Sequence, residues 1–169
     1  MLTAERLREV AVYDPETGVF SWKIPRRRVR VGAAAGTASK RGYIDICVDC
    51  QVYKAHRLAW LYTYGEWPVA LIDHINGDKA DNRLANLRPA TKAENGANRT
   101  KHESRNTSGY RGVHWDKRGQ RWVAHIKQNG VGIHIGSFRT PAEASAAHDL
   151  RARKVFGEFY QPIQSAPAL

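Results

Sequence analysis

The sequence predicts an α+β protein of two small modules: a strand–strand–helix unit, then a three-stranded antiparallel sheet packed on one helix. Three observations predict it. Residues 69–99 read as strand, loop, short strand and helix. Residues 113–135 alternate apolar and polar side chains over three segments split by turn signals, and a capped helix follows at Thr140-Pro141. Between these stretches, residues 99–109 (RTKHESRNTSG) are polar and nearly free of large apolar side chains, which is the composition of a linker. The expected divisions are a first module over 1–99, including an N-terminal β extension, a connection over 100–107, a second module over 108–161 and a tail over 162–169.

In the first module, Asp14-Pro15 and Thr17-Gly18 punctuate residues 13–24 (YDPETGVFSWKI), and Val19, Phe20, Trp22 and Ile24 are strand formers. The segment reads as a turn and then a strand. Residues 42–53 (GYIDICVDCQVY) set Ile44, Ile46 and Val48 against Asp45 and Asp49, the pattern of a half-buried strand or a hairpin. Over 55–64 (AHRLAWLYTY), Leu58, Leu61 and Tyr62 recur at helical spacing before Gly65 and Pro68, so a short amphipathic helix is predicted. Val69 to Ile72 form an apolar strand and Asn76-Gly77 turns the chain. Thr91-Lys-Ala-Glu94 is a capping box that begins a helix.

In the second module, Val113 and Trp115 alternate with His114 and Asp116. Trp122, Ala124 and Ile126 alternate with Arg121, Val123, His125 and Lys127, and Val131, Ile133 and Ile135 with Gly132 and His134. Turn signals fall at Arg118-Gly119 and at Asn129-Gly130, the latter a strong two-residue hairpin signal. Thr140 as N-cap, Pro141 at the first helical position and Glu143 closing a capping box start the helix. Ala144, Ala147, His148, Arg151 and Val155 carry it to about residue 155. This helix must cover the apolar face, because three strands alone are marginal. Trp115 and Trp122 are expected in the core rather than stacked on bases.

The 169 residues hold 27 Lys and Arg against 16 Asp and Glu, a net charge of +11. That balance points to a polyanionic partner, nucleic acid before an anionic membrane. Residues 1–99 carry 16 basic and 11 acidic side chains and residues 100–169 carry 11 and 5, so both modules can meet a phosphate backbone. The run Arg26, Arg27, Arg28 and Arg30 reads either as a solvated loop or as a flexible phosphate-contacting arm. No apolar run reaches the 18 residues of a membrane span, and Met1 to Val10 lacks the apolar region of a signal peptide. The expectation is an intracellular chain without a membrane partner, in the cytoplasm or nucleoid of a bacterial or phage-infected cell. The two cysteines, Cys47 and Cys50, exclude a disulfide scaffold. A lone CxxC supplies half of a zinc site and on a strand points to opposite faces, so ordinary thiols are expected. Asp73 to Asp81 does not match the ligand spacing of a calcium loop.

The chemistry-bearing residues lie in 69–99. Asp73 and His74 end the apolar strand, Asn86 follows the loop and Asn95 sits in the first turn of the last helix. A carboxylate, an imidazole and a carboxamide suit phosphodiester hydrolysis. A hard cation such as Mg²⁺ needs few oxygen ligands and keeps several waters, it stabilises charge on the phosphoryl and leaving oxygens, and a neutral His takes a proton from the attacking water. Asn86 is placed to hydrogen-bond the loop backbone and hold its two arms together. The competing reading is of loop-forming residues beside a solvated His. On a regular strand Asp73 and His74 point to opposite faces, so a shared site requires a strand end or a bulge.

This segment resembles the HNH endonucleases, in particular the branch found in phage and mobile-intron homing enzymes. The resemblance runs from Tyr53-Lys-Ala-His56-Arg57-Leu58-Ala59-Trp60, through Asp73-His74-Ile-Asn76-Gly77-Asp78 and Asp81-Asn82-Arg83-Leu-Ala-Asn86-Leu87-Arg88, to Glu94-Asn95. It implies a ββα-metal fold with Asp73 and Asn95 as metal ligands, His74 as general base and Asn86 as a central structural residue. Asn95 stands where many HNH enzymes carry His, and an amide oxygen there favours Mg²⁺ or Mn²⁺ over zinc.

Residues 108–160 resemble the AP2 DNA-binding domain through Tyr110-Arg111-Gly112-Val113, Trp122-Val-Ala-His125-Ile126, Ile135-Gly136-Ser137-Phe138 and the helix from Pro141 to Asp149. That family lays its sheet in the major groove. Carried over by position, Arg111, His114, Arg121, His125, Lys127 and His134 would face DNA; the alternation independently puts all but Arg111 off the apolar face. Together the resemblances imply a site-directed, homing-type endonuclease of double-stranded DNA, expected as a monomer. The alternative is a non-cleaving DNA-binding regulator on an HNH scaffold. An RNA-binding protein would need an aromatic-rich stacking motif, which is not found.

Overall fold

The computed structural model describes residues 1–26, 29–99, 106 and 108–162. Arg27 and Arg28 of the basic run, most of the expected connection and the tail beyond Pro162 lie outside the described residues. The architecture is α+β, with antiparallel strand pairing throughout the described sheets. The chain forms two compact units, Met1–Thr91 and Lys92–Leu169.

The first unit opens with a helix that the sequence pattern did not announce, α1 (Ala4–Val10). The Thr3 hydroxyl caps it by accepting from the Arg6 amide, and Ala4, Leu7 and Val10 are buried. β1 (Ala11–Tyr13) pairs with β2 (Phe20–Trp22) across the Asp14–Gly18 turn. β3 (Thr37–Ala38), β4 (Ile44–Val48) and β5 (Gln51–Lys54) form a sheet in that order. Segment 42–53 is therefore a hairpin. It turns on Asp49 and Cys50, both at positive φ (47° and 63°), and both thiols are exposed and free. α2 (Ala55–Tyr64) follows at once and ends on Gly65 in the left-handed region. β6 (Leu71–His74) pairs with β7 (Leu87–Ala90). β6 begins later than expected, leaving Val69 fully exposed. The core is built on Leu7, Phe20, Ile46, Val48, Leu58 and Leu61.

The basic segment near Trp22 is not a wholly solvated loop. Arg26 Nη1 donates to the Cys47 carbonyl at 2.7 Å, and its guanidinium lies 4.0 Å from the centroid of the Trp22 ring.

The second unit holds α3 (Lys92–Ala97), β8 (Val113–Asp116), β9 (Arg121–Gln128), β10 (Val131–Phe138) and α4 (Pro141–Phe156). The sheet is the predicted meander, in order β10-β9-β8, with Asn129 and Gly130 turning at φ 50° and 84°. Thr140 caps α4 by accepting from the Glu143 amide, while Glu143 accepts from the Arg139 amide, one residue earlier than a standard box. A bulge between His134 and Gly136 shifts the alternation. Ile135 thereby packs in the core and Phe138, not Ser137, joins it. α4 meets the sheet through Ala144, His148 and Ala152; Ala152 takes the place expected of Arg151. Trp115 is set edge-on to Trp122 at 5.2 Å but stays 40% exposed, so it is less of a core residue than expected. Gly112, at φ 65°, allows a close approach of chains: a Cβ there would lie 2.4 Å from His148 Cδ2 and 2.5 Å from the His125 carbonyl.

α3 groups with this second unit rather than with the segment preceding it, and the reason is packing. Ala97 is buried in one cluster with Ile126, Ala152 and Tyr160.

Candidate functional site

β6 supplies the first two candidate residues. His74 is its last residue, and both Asp73 and His74 are 4% exposed. Asp73 faces Arg88 across the ribbon, and Arg88 Nε lies 3.1 Å from Asp73 Oδ2. His74 lies on the opposite face by strand alternation, the face of the core residue Ile72.

The loop from Ile75 to Asn86 is locked by side-chain amides. Asn86 Oδ1 accepts from the Asn76 amide, while its Nδ2 donates to Asn76 Oδ1 and to the Asp81 carbonyl. The Ile75 amide donates to the Asn86 carbonyl. Asn86 therefore ties both ends of the loop to each other. Asp81 accepts from Asn76 and Arg83, and these bonds hold its carboxyl down at about 2. The N-terminal turn buttresses the same loop. The Tyr13 hydroxyl donates to the Asn82 carbonyl at 2.7 Å, and the Leu84 amide donates to the Pro15 carbonyl. Gly18, at φ 73°, passes so close that a Cβ would sit 2.4 Å from the Arg83 nitrogen.

Three residues around His74 had no role assigned from sequence. Asn82 Oδ1 lies 3.3 Å from His74 Nε2, and its Nδ2 donates to the Ala80 carbonyl. That second bond orients the amide with its oxygen toward the imidazole. Nε2 is then the protonated nitrogen and the lone pair sits on Nδ1. The His56 ring packs edge-on to His74 at 5.0 Å, and Tyr43 lies 5.4 Å from His56 and 6.1 Å from His74. Burial drives both imidazoles toward the neutral form. His56 falls to about 3, with the His74 charge adding to the effect. His74 is lowered less far, because Asn82 and the nearby Asp73 oppose the desolvation. His56 stands in the quoted Tyr53–Trp60 motif, where its place in the first turn of α2 was the available signal.

Among the described residues, no three His, Cys, Asp or Glu side chains come together as a metal cage. This donor set does not fit a four-ligand structural zinc site. A carboxylate and an amide oxygen are donors of the kind a hard cation takes while keeping its waters. Asp73 offers the carboxylate. Asn95 is half-buried on α3, in the second unit.

In the second unit, one face of the sheet carries the expected polar residues. His134 is paired with His125, Gly132 with Lys127, His114 with Val123 and Asp116 with Arg121. His114, Arg121, His125, Lys127 and His134 are all exposed. The His114 and His125 rings lie 5.2 Å apart, and partial burial beside His114 lowers the His125 pKa. Arg111 does not belong with them. Its Nη1 donates to the carbonyls of Ala97 (2.8 Å) and Gln161 (3.4 Å), and its guanidinium lies 5.5 Å from the Tyr160 ring centroid. Arg111, expected to face DNA with them, is half-buried, with its Nη1 on these backbone carbonyls.

Two family models match the chain: one described as HNH endonuclease over residues 53–97, and one described as AP2 domain over 108–158. An uncharacterized HNH endonuclease of Acanthamoeba polyphaga mimivirus is 31% identical over 125 residues, 73% of this chain and 63% of that protein. Protein 3.8 of Escherichia phage T7 is 37% identical over 84 residues, 47% of this chain and 69% of that protein. The chain thus spans less than two thirds of the mimivirus relative. No solved structure matches.

Proposed function

Because the chain belongs to the HNH endonuclease family and carries an AP2 domain behind the HNH segment, we propose that it is a metal-dependent endonuclease that hydrolyses phosphodiester bonds of double-stranded DNA. The AP2 domain selects the site, and the enzyme works as a monomer of homing type. The observation that carries this reading is the setting of His74. It ends a strand, it is kept neutral by burial, and Asn82 orients it so that Nδ1 holds the lone pair.

In this reading His74 is the general base and takes a proton from the attacking water at Nδ1. His56, held neutral beside it, packs the imidazole without placing a second positive charge on it. Asp73 and Asn95 would hold Mg²⁺ or Mn²⁺, which when bound supplies charge stabilisation at the phosphoryl and leaving oxygens. Arg88 orients the Asp73 carboxylate, and Asn86 keeps the loop closed around the strand end. On the AP2 sheet, Arg121 and Lys127 meet phosphates or base edges, with His114, His125 and His134 as further hydrogen-bonding groups. A tether between two weakly binding modules raises the effective concentration of each on one duplex.

The test is incubation of purified protein with supercoiled plasmid, with and without Mg²⁺ or Mn²⁺. Relaxed or linear product that requires the metal is expected. Plasmid that stays supercoiled with every divalent metal tried, while DNA binding persists, would replace this reading with that of a non-cleaving regulator. No helix among the described residues is long and apolar enough to cross a membrane.

A further inference from the structure

α3 is six residues long, too short to hold a helical conformation in water by itself. Its order has to come from packing, and its C-terminal end is anchored in three ways within the second unit. The Ala97 side chain is buried with Ile126, Ala152 and Tyr160. The Ala97 carbonyl accepts from Arg111 Nη1 at 2.8 Å and from the Gln161 amide at 3.4 Å. The guanidinium is itself held, because the Tyr160 ring lies under it and the Tyr160 hydroxyl donates to Asp149 Oδ1 on α4 at 2.5 Å. A chain of contacts therefore runs from α4 through Tyr160 and Arg111 to the last carbonyl of α3.

We propose that Arg111 is a positioning residue for the nuclease: it tethers α3, and with it Asn95, to the AP2 fold. The catalytic half of this statement rests on Asn95 being a metal ligand. A charged donor on a helix's last carbonyls is favourable for the helix dipole. Arg111 is half-buried, and its guanidinium donates to backbone carbonyls inside this unit. Burial lowers its pKa accordingly. The HNH match ends at residue 97 and the AP2 match begins at 108. The tether thus joins the last residue of one match to the fourth residue of the other.

The experiment uses the full-length chain with Arg111→Gln and Arg111→Lys. Amide exchange is read on peptides covering 92–98, with β9 peptides as the measure that the AP2 fold is intact. Loss of the charged bond should speed exchange at 92–98 by about tenfold or more in Arg111→Gln, leave β9 unchanged, and be partly restored by Lys. In a Mg²⁺ titration of plasmid cleavage, the half-maximal concentration should rise about tenfold, the usual effect of removing a group that orients a ligand. Metal-free DNA affinity should stay within about twofold, because the exposed face of the sheet is untouched.

Unchanged exchange at 92–98 in Arg111→Gln overturns the proposal. So does a loss of metal-free DNA affinity with α3 unaltered, which would make Arg111 a DNA contact. A uniform rise across β9 and α3 in both variants also overturns it, since Arg111 would then serve only the stability of the AP2 fold. Asn95→Ala in the same titration separates the two readings. If it leaves the Mg²⁺ requirement unchanged, the metal role of Asn95 falls, while selective exchange at 92–98 in Arg111→Gln still establishes the tether.

Discussion

Mild acid should destabilise the first unit through His56. The ring is 7% exposed, and its pKa falls from 6.5 to about 3 in the folded protein. The unfolded chain therefore binds a proton that the folded chain refuses. The stabilisation is complete above the unfolded pKa and is lost as pH falls from there toward about 3. Each unit of this window is worth about 1.4 kcal/mol, so the step from pH 7 to pH 5 should remove about 2 kcal/mol. The comparison is with His56→Leu, which cannot titrate. That change deletes Nδ1, a buried atom with no hydrogen-bond partner, but loses the ring contacts to Tyr43 and His74. At pH 7 the variant should be the less stable by roughly 1–2 kcal/mol. By pH 5 the gap should close or reverse. His74, whose pKa is also depressed, contributes with the same sign in both proteins and largely cancels. The assay is urea unfolding at pH 7, 6 and 5, read on the amide resonances of Leu58 and Leu61 so that the first unit reports alone. Parallel stability of wild type and His56→Leu over that range would refute a neutral, desolvated His56.

Four further outcomes are expected. His74→Ala should abolish cleavage while DNA affinity, measured by anisotropy, stays within a few-fold, because a general base acts on water and not on binding; wild-type turnover would remove it from that role. Asp73→Ala and Asn95→Ala should each raise the Mg²⁺ concentration needed for cleavage, and identical titrations in both would take them off the metal. Lys127→Ala and Arg121→Ala should cost within about 0.5 kcal/mol of stability. Lys127→Ala should weaken binding to all duplexes alike and lower the salt slope by about one unit, whereas Arg121→Ala should cost roughly 1–3 kcal/mol on the target site alone. No effect of either change would mean that the sheet does not meet DNA. Gly112→Ala should destabilise the second unit by roughly 2–4 kcal/mol, from the left-handed backbone and the clash with His148 and the His125 carbonyl; a melt within error of wild type would refute that packing.

The second unit was legible in the sequence because its signals are local. Period-two alternation, Asn129-Gly130 and Thr140-Pro141-Ala-Glu143 each act over a few residues, and each appears where expected. The bulge after His134 was only partly legible. Gly136 inside a strand is a bulge signal, and its missing side chain leaves room for the Phe138 ring, 3.0 Å from where a Cβ would sit. The first unit was harder. α1 has seven residues, too few for a helical period to stand out from the mixed charges of Arg6, Arg8 and Glu9. β1 and β3 are three and two residues long, so they owe their existence to pairing and not to pattern.

At the candidate site, residue chemistry singled out Asp73 and His74, but their surroundings come from tertiary structure. The Asp73–Arg88 pair depends on a cross-strand register set by the whole loop between β6 and β7. His56 reaches His74 because α2 begins directly after β5. Arg111 shows the limit most sharply. In a chain of net charge +11, sequence offers no means to tell a guanidinium meant for phosphate from one meant for a carbonyl, since both are written with the same letter. Lys127 and Arg111 lie on adjoining stretches of one domain, yet one is exposed on the sheet and the other bonds carbonyls 14 and 50 residues away. The distinction is made by desolvation. A cation withdrawn from water needs fixed acceptors, and only the fold brings the ends of α3 and of the chain's last described segment close enough to supply them. A basic residue just before a strand, where alternation has not yet begun, is thus the position at which carrying a contact over by sequence register is least secure.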